Sequence, residues 1–158
     1  MRAGKQRGFT YVSLLLIVAA MGAGFAAFGE LTSNAVKREK ELELLFVGDA
    51  YRHAIGQYYE GSPGGHKAWP KSLEQLLKDE RFAFTRRHLR RLYRDPVTGK
   101  DWATVEAPEG GIMGVRSLSE TAPAKTASFP PGYEAFEGAA RYADWQFVYT
   151  PAAAVASK

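Results

Sequence analysis

Apolar residues follow three different rhythms along this chain. From Phe9 to Gly29 they are nearly continuous: 21 residues carry no formal charge, with Leu14, Leu15, Leu16, Ile17 and Val18 at the heart of the run. As a helix rising ~1.5 Å per residue, the run is ~31 Å long, close to a bilayer's hydrocarbon thickness. From Leu31 the rhythm changes to steps of three and four, through Ala35, Leu42, Leu45, Phe46, Ala50, Ala54 and Tyr58. That spacing predicts an amphipathic helix with Lys37, Arg38, Glu39, Lys40, Glu41 and Glu43 on a solvated face. No proline precedes Pro63, and Gly61-Ser62-Pro63-Gly64-Gly65 is a firm stop. One helix from Phe9 to about Glu60 is therefore expected, apolar all round in its first half and two-faced in its second.

Beyond the stop the pattern turns short-range. Ser72 with Gln75 three residues on is a capping-box spacing, and Leu73, Leu76 and Leu77 give one apolar face, which predicts a short helix from Leu73 to about Glu80. The stretch RFAFTRRHLRRLYR, Arg81 to Arg94, holds six arginines in fourteen residues. Were it helical, Arg87, Arg90, Arg91 and Arg94 would share one face, with Leu89, Leu92 and Tyr93 nearer the other. Asp95-Pro96-Val97-Thr98-Gly99 reads as a turn: Pro96 presets its second position, Asp95 caps it and Gly99 permits a positive φ. Short strands are expected over Trp102–Val105, Ile112–Leu118 and Trp145–Tyr149, with Gly110-Gly111 joining the first two. Trp102, Val105, Ile112, Val115, Phe147 and Tyr149 are the candidates for the sheet's inner face. Residues 119–143 read as one long loop, to which Phe129, Tyr133, Phe136 and Tyr142 give docking groups. The expected fold class is α+β, a long N-terminal helix packed on an antiparallel sheet of about three strands. The expected divisions are 1–8, 9–29, 30–60, a globular 61–150 and a frayed tail 151–158.

Charge changes this picture only at the N-terminus. The formal net charge is +4, and Arg2, Lys5 and Arg7 supply three of those charges ahead of Gly8; without them the balance is +1. Basic residues on one side of an apolar span place that side in the cytoplasm and the C-terminal domain across the membrane. A nearly balanced remainder does not point to a nucleic-acid partner. The basic run Arg81–Arg94 can contact phosphates or lipid headgroups, or pair with Glu39, Glu41 and Glu43 of the same or a neighbouring subunit. No cysteine is present, so disulfide, thiol and Cys-zinc chemistry are excluded. The residues alone leave two other readings of 9–29 open. A buried core helix would show a polar face. A secretory signal cut near Ala27-Phe28-Gly29 would have a shorter apolar run, and the helical pattern would stop there.

A short basic leader ending in Gly8, then Phe9-Thr10, then an apolar helix running into an amphipathic one, resembles a type IV pilin-like precursor, the class that includes the pseudopilins of type II secretion. The Trp69-Pro70-Lys71-Ser72-Leu73-Glu74-Gln75-Leu76 segment, the Asp-Pro turn, and the strings DPVTGKDW, GGIMGVRSLSE and YADWQFVYTP extend the resemblance to pseudopilin-like proteins of Gram-negative bacteria. It implies cleavage after Gly8 by a prepilin peptidase, with Phe9 as the new, methylated N-terminus. It further implies a subunit first anchored in the inner membrane and then stacked into a periplasmic fibre by an assembly platform. Other pilins or pseudopilins and membrane lipid would be its partners. Packing would run through Leu14, Leu15, Leu16, Ile17, Val18 and the small residues Gly22 and Ala26. The family usually carries Glu at the fifth position after the cut; Ser13 stands there. Members without the acid include a minor tip subunit, so a minor pilin that primes or caps a pilus is an alternative, as is an anchored binding domain that never polymerises. Major secretion pseudopilins hold calcium in their C-terminal region. The oxygen donors here are Glu134, Glu137 and Asp144, without an Asp-rich loop spacing. His53, His66 and His88 have no ligand-spaced partners, and no phosphate loop or nucleophile elbow is present, so no cofactor and no catalytic activity are expected.

Overall fold

The computed structural model describes the backbone of residues 7–151 and the side chains of residues 11–21 and 35–151. The leader residues 1–6 and the tail 152–158 lie outside the described residues, as do the side chains of Gly8, Phe9, Gly22 and Ala26. The chain is α+β: helix α1 (Arg7–Glu60) is followed by strands β1 (Ala103–Glu106), β2 (Ile112–Arg116) and β3 (Gln146–Val148), with short 3₁₀ turns between. It divides into two units, Met1–Arg38 and Glu39–Lys158.

The helix ends where the glycine and proline cluster begins. Gly61 N–H still reaches the Gln57 carbonyl at 3.0 Å, and Ser62 Oγ donates to Tyr59 O at 2.8 Å, so the last carbonyls are capped before Pro63 turns the chain away. The three strands pair antiparallel in the order β1-β2-β3. Thr104 lies opposite Val115 and Val115 opposite Phe147, with a bulge in the β1–β2 ladder after Val105. The Asp-Pro turn forms as the sequence predicts. Asp95 is fully buried and accepts from Val97 N at 2.9 Å, Thr98 Oγ1 at 2.7 Å and Ser117 Oγ at 2.6 Å, while Gly99 takes φ 71°. The last of these bonds ties the turn to the end of β2.

The core forms around a helix stripe that matches the expected one in part: Ala54 and Tyr58 are buried and Leu45 and Ala50 pack against the core, but the stripe's centre is shifted. Leu44, Val47, Tyr51, Ala54, Ile55 and Tyr58 are buried, whereas Leu42 and Phe46 are 68% and 72% exposed. Both stripes have helical spacing and share Ala54 and Tyr58; the inward one adds Leu44, Val47, Tyr51 and Ile55, each fully buried large side chain contributing about 1.5–3 kcal/mol. Gly48 and Gly56 complete the choice. An ideal Cβ at Gly48 would lie 2.5 Å from the ring of Phe147, and one at Gly56 would lie 2.6 Å from Tyr149. Only glycine lets Phe147 of β3, and Tyr149 just beyond it, seat this close to α1. Trp102, Ile112, Val115 and Phe147 join the core from the sheet; Val105 and Tyr149 are half-buried.

One other expectation is corrected, and the helix considered for 81–94 does not form. The helix predicted over 73–80 is a single 3₁₀ turn, Leu73–Leu76, and Ser72 makes no side-chain cap. Gln75 Oε1 is taken by Lys71 N at 2.8 Å and Tyr58 Oη at 3.1 Å. The Leu76 carbonyl receives His88 N at 2.9 Å and Leu89 N at 3.0 Å, so it is occupied from outside the turn. The segment 81–94 is not helical either. A bridge pairs Asp79 with Arg86, and the chain then runs on irregularly to the Asp95 turn.

Candidate functional site

The apolar run is the first candidate. Tyr11, Val12, Leu14, Leu15, Leu16, Ile17, Val18 and Met21 are each more than half exposed, on every side of α1, and Ser13 between them is half-buried. Among the described residues no helix is long and apolar enough to cross a membrane; of the run 9–29, the described side chains are those of 11–21. An isolated exposed leucine is ordinary, but eight large apolar side chains within eleven residues form a contiguous patch that water does not favour. The Gly8–Phe9 peptide bond lies within α1's backbone.

The second feature was assigned to solvent by the sequence pattern and proves buried. Glu41 is 5% exposed. Its carboxylate accepts from Ala124 N at 2.7 Å, Lys125 N at 3.0 Å and Tyr142 Oη at 2.8 Å. Glu41 precedes Leu44 by three positions and so belongs to the inward stripe. It fastens the 119–143 segment to the helix. Burial first, then the bond to Glu41, raises the Tyr142 phenol well above the usual tyrosine range. A second fastening lies further along α1. Tyr133 Oη donates to Asp49, which also pairs with Arg52 at 3.0 Å and His53 at 3.1 Å, and the Arg52 guanidinium lies 4.8 Å from the Tyr133 ring centre. Between these points the segment packs its aromatic side chains as predicted. Phe136 stacks on Trp145 at 5.3 Å, and Phe129 and Tyr142 meet Trp145 edge-on. Two 3₁₀ turns, Glu134–Phe136 and Tyr142–Asp144, give this loop its only regular structure.

The arginine-rich segment is built around a buried acid. Asp79 is 1% exposed and pairs with Arg81 at 2.8 Å and with His88 at 3.1 Å. The Arg81 hydrogen bonds, ahead of the cost of burial and the bond from His88, hold the Asp79 carboxyl far below the usual range. Arg81 also donates to Tyr58 O and Ser62 Oγ, both at 2.8 Å, and its guanidinium lies 3.5 Å from the Tyr58 ring centre. It is thus a plug on the C-terminal end of α1, where a cation is favourable. Gathering Arg81 and His88 onto one carboxylate bends the chain between them, which is why no helix forms. Arg87, Arg90, Arg91 and Arg94 remain exposed and, among the described residues, make no ion pair. They do not share a helical face, and neither Glu39, Glu41 nor Glu43 pairs with them. Arg91 instead lies 4.9 Å from the Tyr93 ring centre.

The three candidate calcium donors are employed separately. Glu134 accepts from Gly132 N at 2.9 Å, Glu137 from Ser128 N at 3.1 Å, and Asp144 pairs with Arg141 at 2.7 Å. Among the described residues no group of three His, Asp or Glu side chains is placed to hold a metal ion. His53 and His88 each face an aspartate and not a second histidine.

Two buried indole N–H groups have no partner among the described residues, those of Trp102 and Trp145. Each costs about 1–3 kcal/mol as an unmet donor. Trp145 sits inside the aromatic cluster, whereas Trp102 lines an open groove of about 370 Å³ with Tyr51, Tyr93, Glu74, Asp101 and Thr104. Its lining comes from five separate stretches of chain, which no local motif announces. No known family, curated protein or solved structure matches the chain.

Proposed function

We propose that this chain is a pseudopilin-like structural subunit of a type II secretion pseudopilus, cut after Gly8 and assembled through the apolar first half of α1. The observation that carries the reading is the exposure of Tyr11 through Met21: a patch this apolar on all sides finds partners only in lipid or in apolar helices of other subunits. The basic residues ahead of Gly8 and the resemblance of the Gly8-Phe9-Thr10 junction support processing on the cytoplasmic side, with residues 61–150 in the periplasm. The mechanism is mechanical. A platform in the inner membrane draws the subunit from the bilayer, and sister helices replace lipid around Leu14–Val18. Ser13, in place of the acid that would pair with a neighbour's terminal amine, favours a specialised position such as the start or tip of the fibre, in a pseudopilus or a type IV pilus.

Mass spectrometry of the N-terminus of the native protein tests the cleavage, and a chain beginning at Phe9 is expected. Because the protein has no cysteine, single cysteines placed between Leu14 and Met21 report contacts without background. Disulfide-linked dimers in membranes support assembly. A mature chain lacking the 9–29 run overturns the reading.

A further inference from the structure

We infer that the groove beside β1 binds an extended peptide segment carrying a lysine or arginine side chain, and that the segment adds to β1 as a fourth strand. Three observations meet there. First, β1 is an edge strand: β2 pairs with one side of it, and among the described residues no other backbone group pairs with Ala103–Glu106. A free edge offers an alternating row of N–H and C=O groups, the recognition surface for a peptide backbone. Four residues and a bulge after Val105 make the edge short, so it suits a peptide better than an open-ended sheet.

Second, the groove next to this edge has the chemistry of a cation site. Half-buried Tyr93 supplies ring surface, backed by the largely buried rings of Tyr51 and Trp102, and Glu74 and Asp101 supply exposed carboxylates. Neither carboxylate has an ion-pair partner among the described residues. Lys71 is the one cation lining the groove, so the acids outnumber it. Aromatic faces with carboxylates beside them select ammonium and guanidinium groups. The Tyr93 ring already attracts the chain's own Arg91.

Third, Trp102 is 6% exposed and its indole N–H has no partner among the described residues. The nitrogen itself is enclosed, so on binding the ring turns to bring this donor to a peptide carbonyl, an acceptor that a bare cation does not provide. Trp102 and Thr104 stand on the same face at the two-residue strand spacing, so a segment paired along β1 passes both. Binding at this groove does not depend on the apolar run of α1.

The test uses the full chain in detergent micelles and two fluorescein-labelled peptides, Val-Lys-Val-Lys-Val and Val-Glu-Val-Glu-Val, blocked at both ends and followed by anisotropy. The lysine peptide is expected to bind below about 1 mM, the upper edge of measurable weak affinity, and the glutamate peptide is not. The double variant Glu74→Lys/Asp101→Lys, at two exposed positions, is expected to weaken binding at least ~10-fold, the effect of removing both charge partners. The Trp102 indole N–H resonance, assigned with Trp102→Phe, should shift on binding. N-methylation of alternate valines should abolish binding by blocking the strand bonds. Equal binding of both peptides, no binding up to ~1 mM, or insensitivity to the double variant each overturns the inference. Binding that survives N-methylation, or that tetramethylammonium displaces as well as the peptide does, replaces it with a simple cation site. These outcomes leave Phe9 as the N-terminus, and crosslinking through Leu14–Met21, unaffected. Failure here is therefore distinguishable from failure of the assembly reading.

Discussion

Glu41→Ala is the most informative single change outside the apolar run. The substitution barely touches the helix itself, since alanine exceeds glutamate in helix propensity by only a few tenths of a kcal/mol. Everything else it does falls on 119–143. Ala124 N–H, Lys125 N–H and the Tyr142 hydroxyl lose their common acceptor at once. Hydrogen bonds to a charged group contribute about 1.5–3 kcal/mol each, and a buried donor left unmet costs about 1–3 kcal/mol. Three in full would approach 9 kcal/mol, more than many domains have in total. The segment can instead lift locally and give its donors to water, which caps the loss at the free energy of that local opening. The expected cost is therefore about 3–5 kcal/mol, below the simple sum of the bonds. Urea unfolding followed by tryptophan fluorescence measures it, because Trp145 lies in the cluster that the segment covers. Amide exchange locates it: Ala124 and Lys125 should lose protection while the β1–β2 ladder keeps its own. Glu39→Ala and Glu43→Ala, at exposed positions on the same helix, should stay within about 0.5 kcal/mol of the parent. A cost under about 1 kcal/mol for Glu41→Ala, or undiminished protection at residues 124 and 125, refutes the reasoning.

Other perturbations have equally definite outcomes. Asp79→Asn leaves Arg81 and the enclosed His88 without their carboxylate and should cost about 2–4 kcal/mol at pH 7 by chemical denaturation. Because the folded pKa of Asp79 is depressed, its contribution is complete above the unfolded value of about 3.9 and fades as pH falls below it; the Asn variant should show a correspondingly shallower acid limb. The raised pKa values of Tyr133 and Tyr142 work in the opposite direction. Their contribution is complete below about pH 10 and is lost as pH rises further, so Tyr142→Phe should flatten the alkaline limb of stability against pH. Gly48→Ala, a change that strengthens an exposed helix by about 1 kcal/mol, should here destabilise by about 1–3 kcal/mol, because the new methyl meets the Phe147 ring; a rise in melting temperature would contradict that packing. Ser13→Glu should alter how often the subunit enters a fibre relative to its partners in co-purification, and unchanged incorporation would remove the special role given to Ser13.

The parts of the fold that depend on near neighbours were legible in the sequence. The helix and its end at Gly61, the Asp95–Gly99 turn, and three strands within a residue or two of their predicted positions all follow from periodicity and turn chemistry. The parts that depend on distant partners were not. Glu41 reads as a surface charge among five others until Tyr142, 101 residues away, is seen to donate to it. Arg81–Arg94 has a passable helix pattern, and only the pairing of Asp79 with both Arg81 and His88, one on each side of a bend, defeats it. The choice between Leu42/Phe46 and Leu44/Val47/Tyr51 as the inward stripe turned on two glycines whose use depends on aromatic residues almost a hundred positions later. The groove beside β1 could not be read at all, since its walls come together only in the folded chain.

The seating of Phe147 at Gly48 and of Tyr149 at Gly56 has a consequence under load. Rings lodged in notches on a rod resist sliding far better than a smooth greasy contact would. A tug along the axis of α1 between Glu39 and Glu60 would therefore meet these two notches and the Glu41 fastening in shear, all together. The sheet should travel with the rod as one piece until those three points give way.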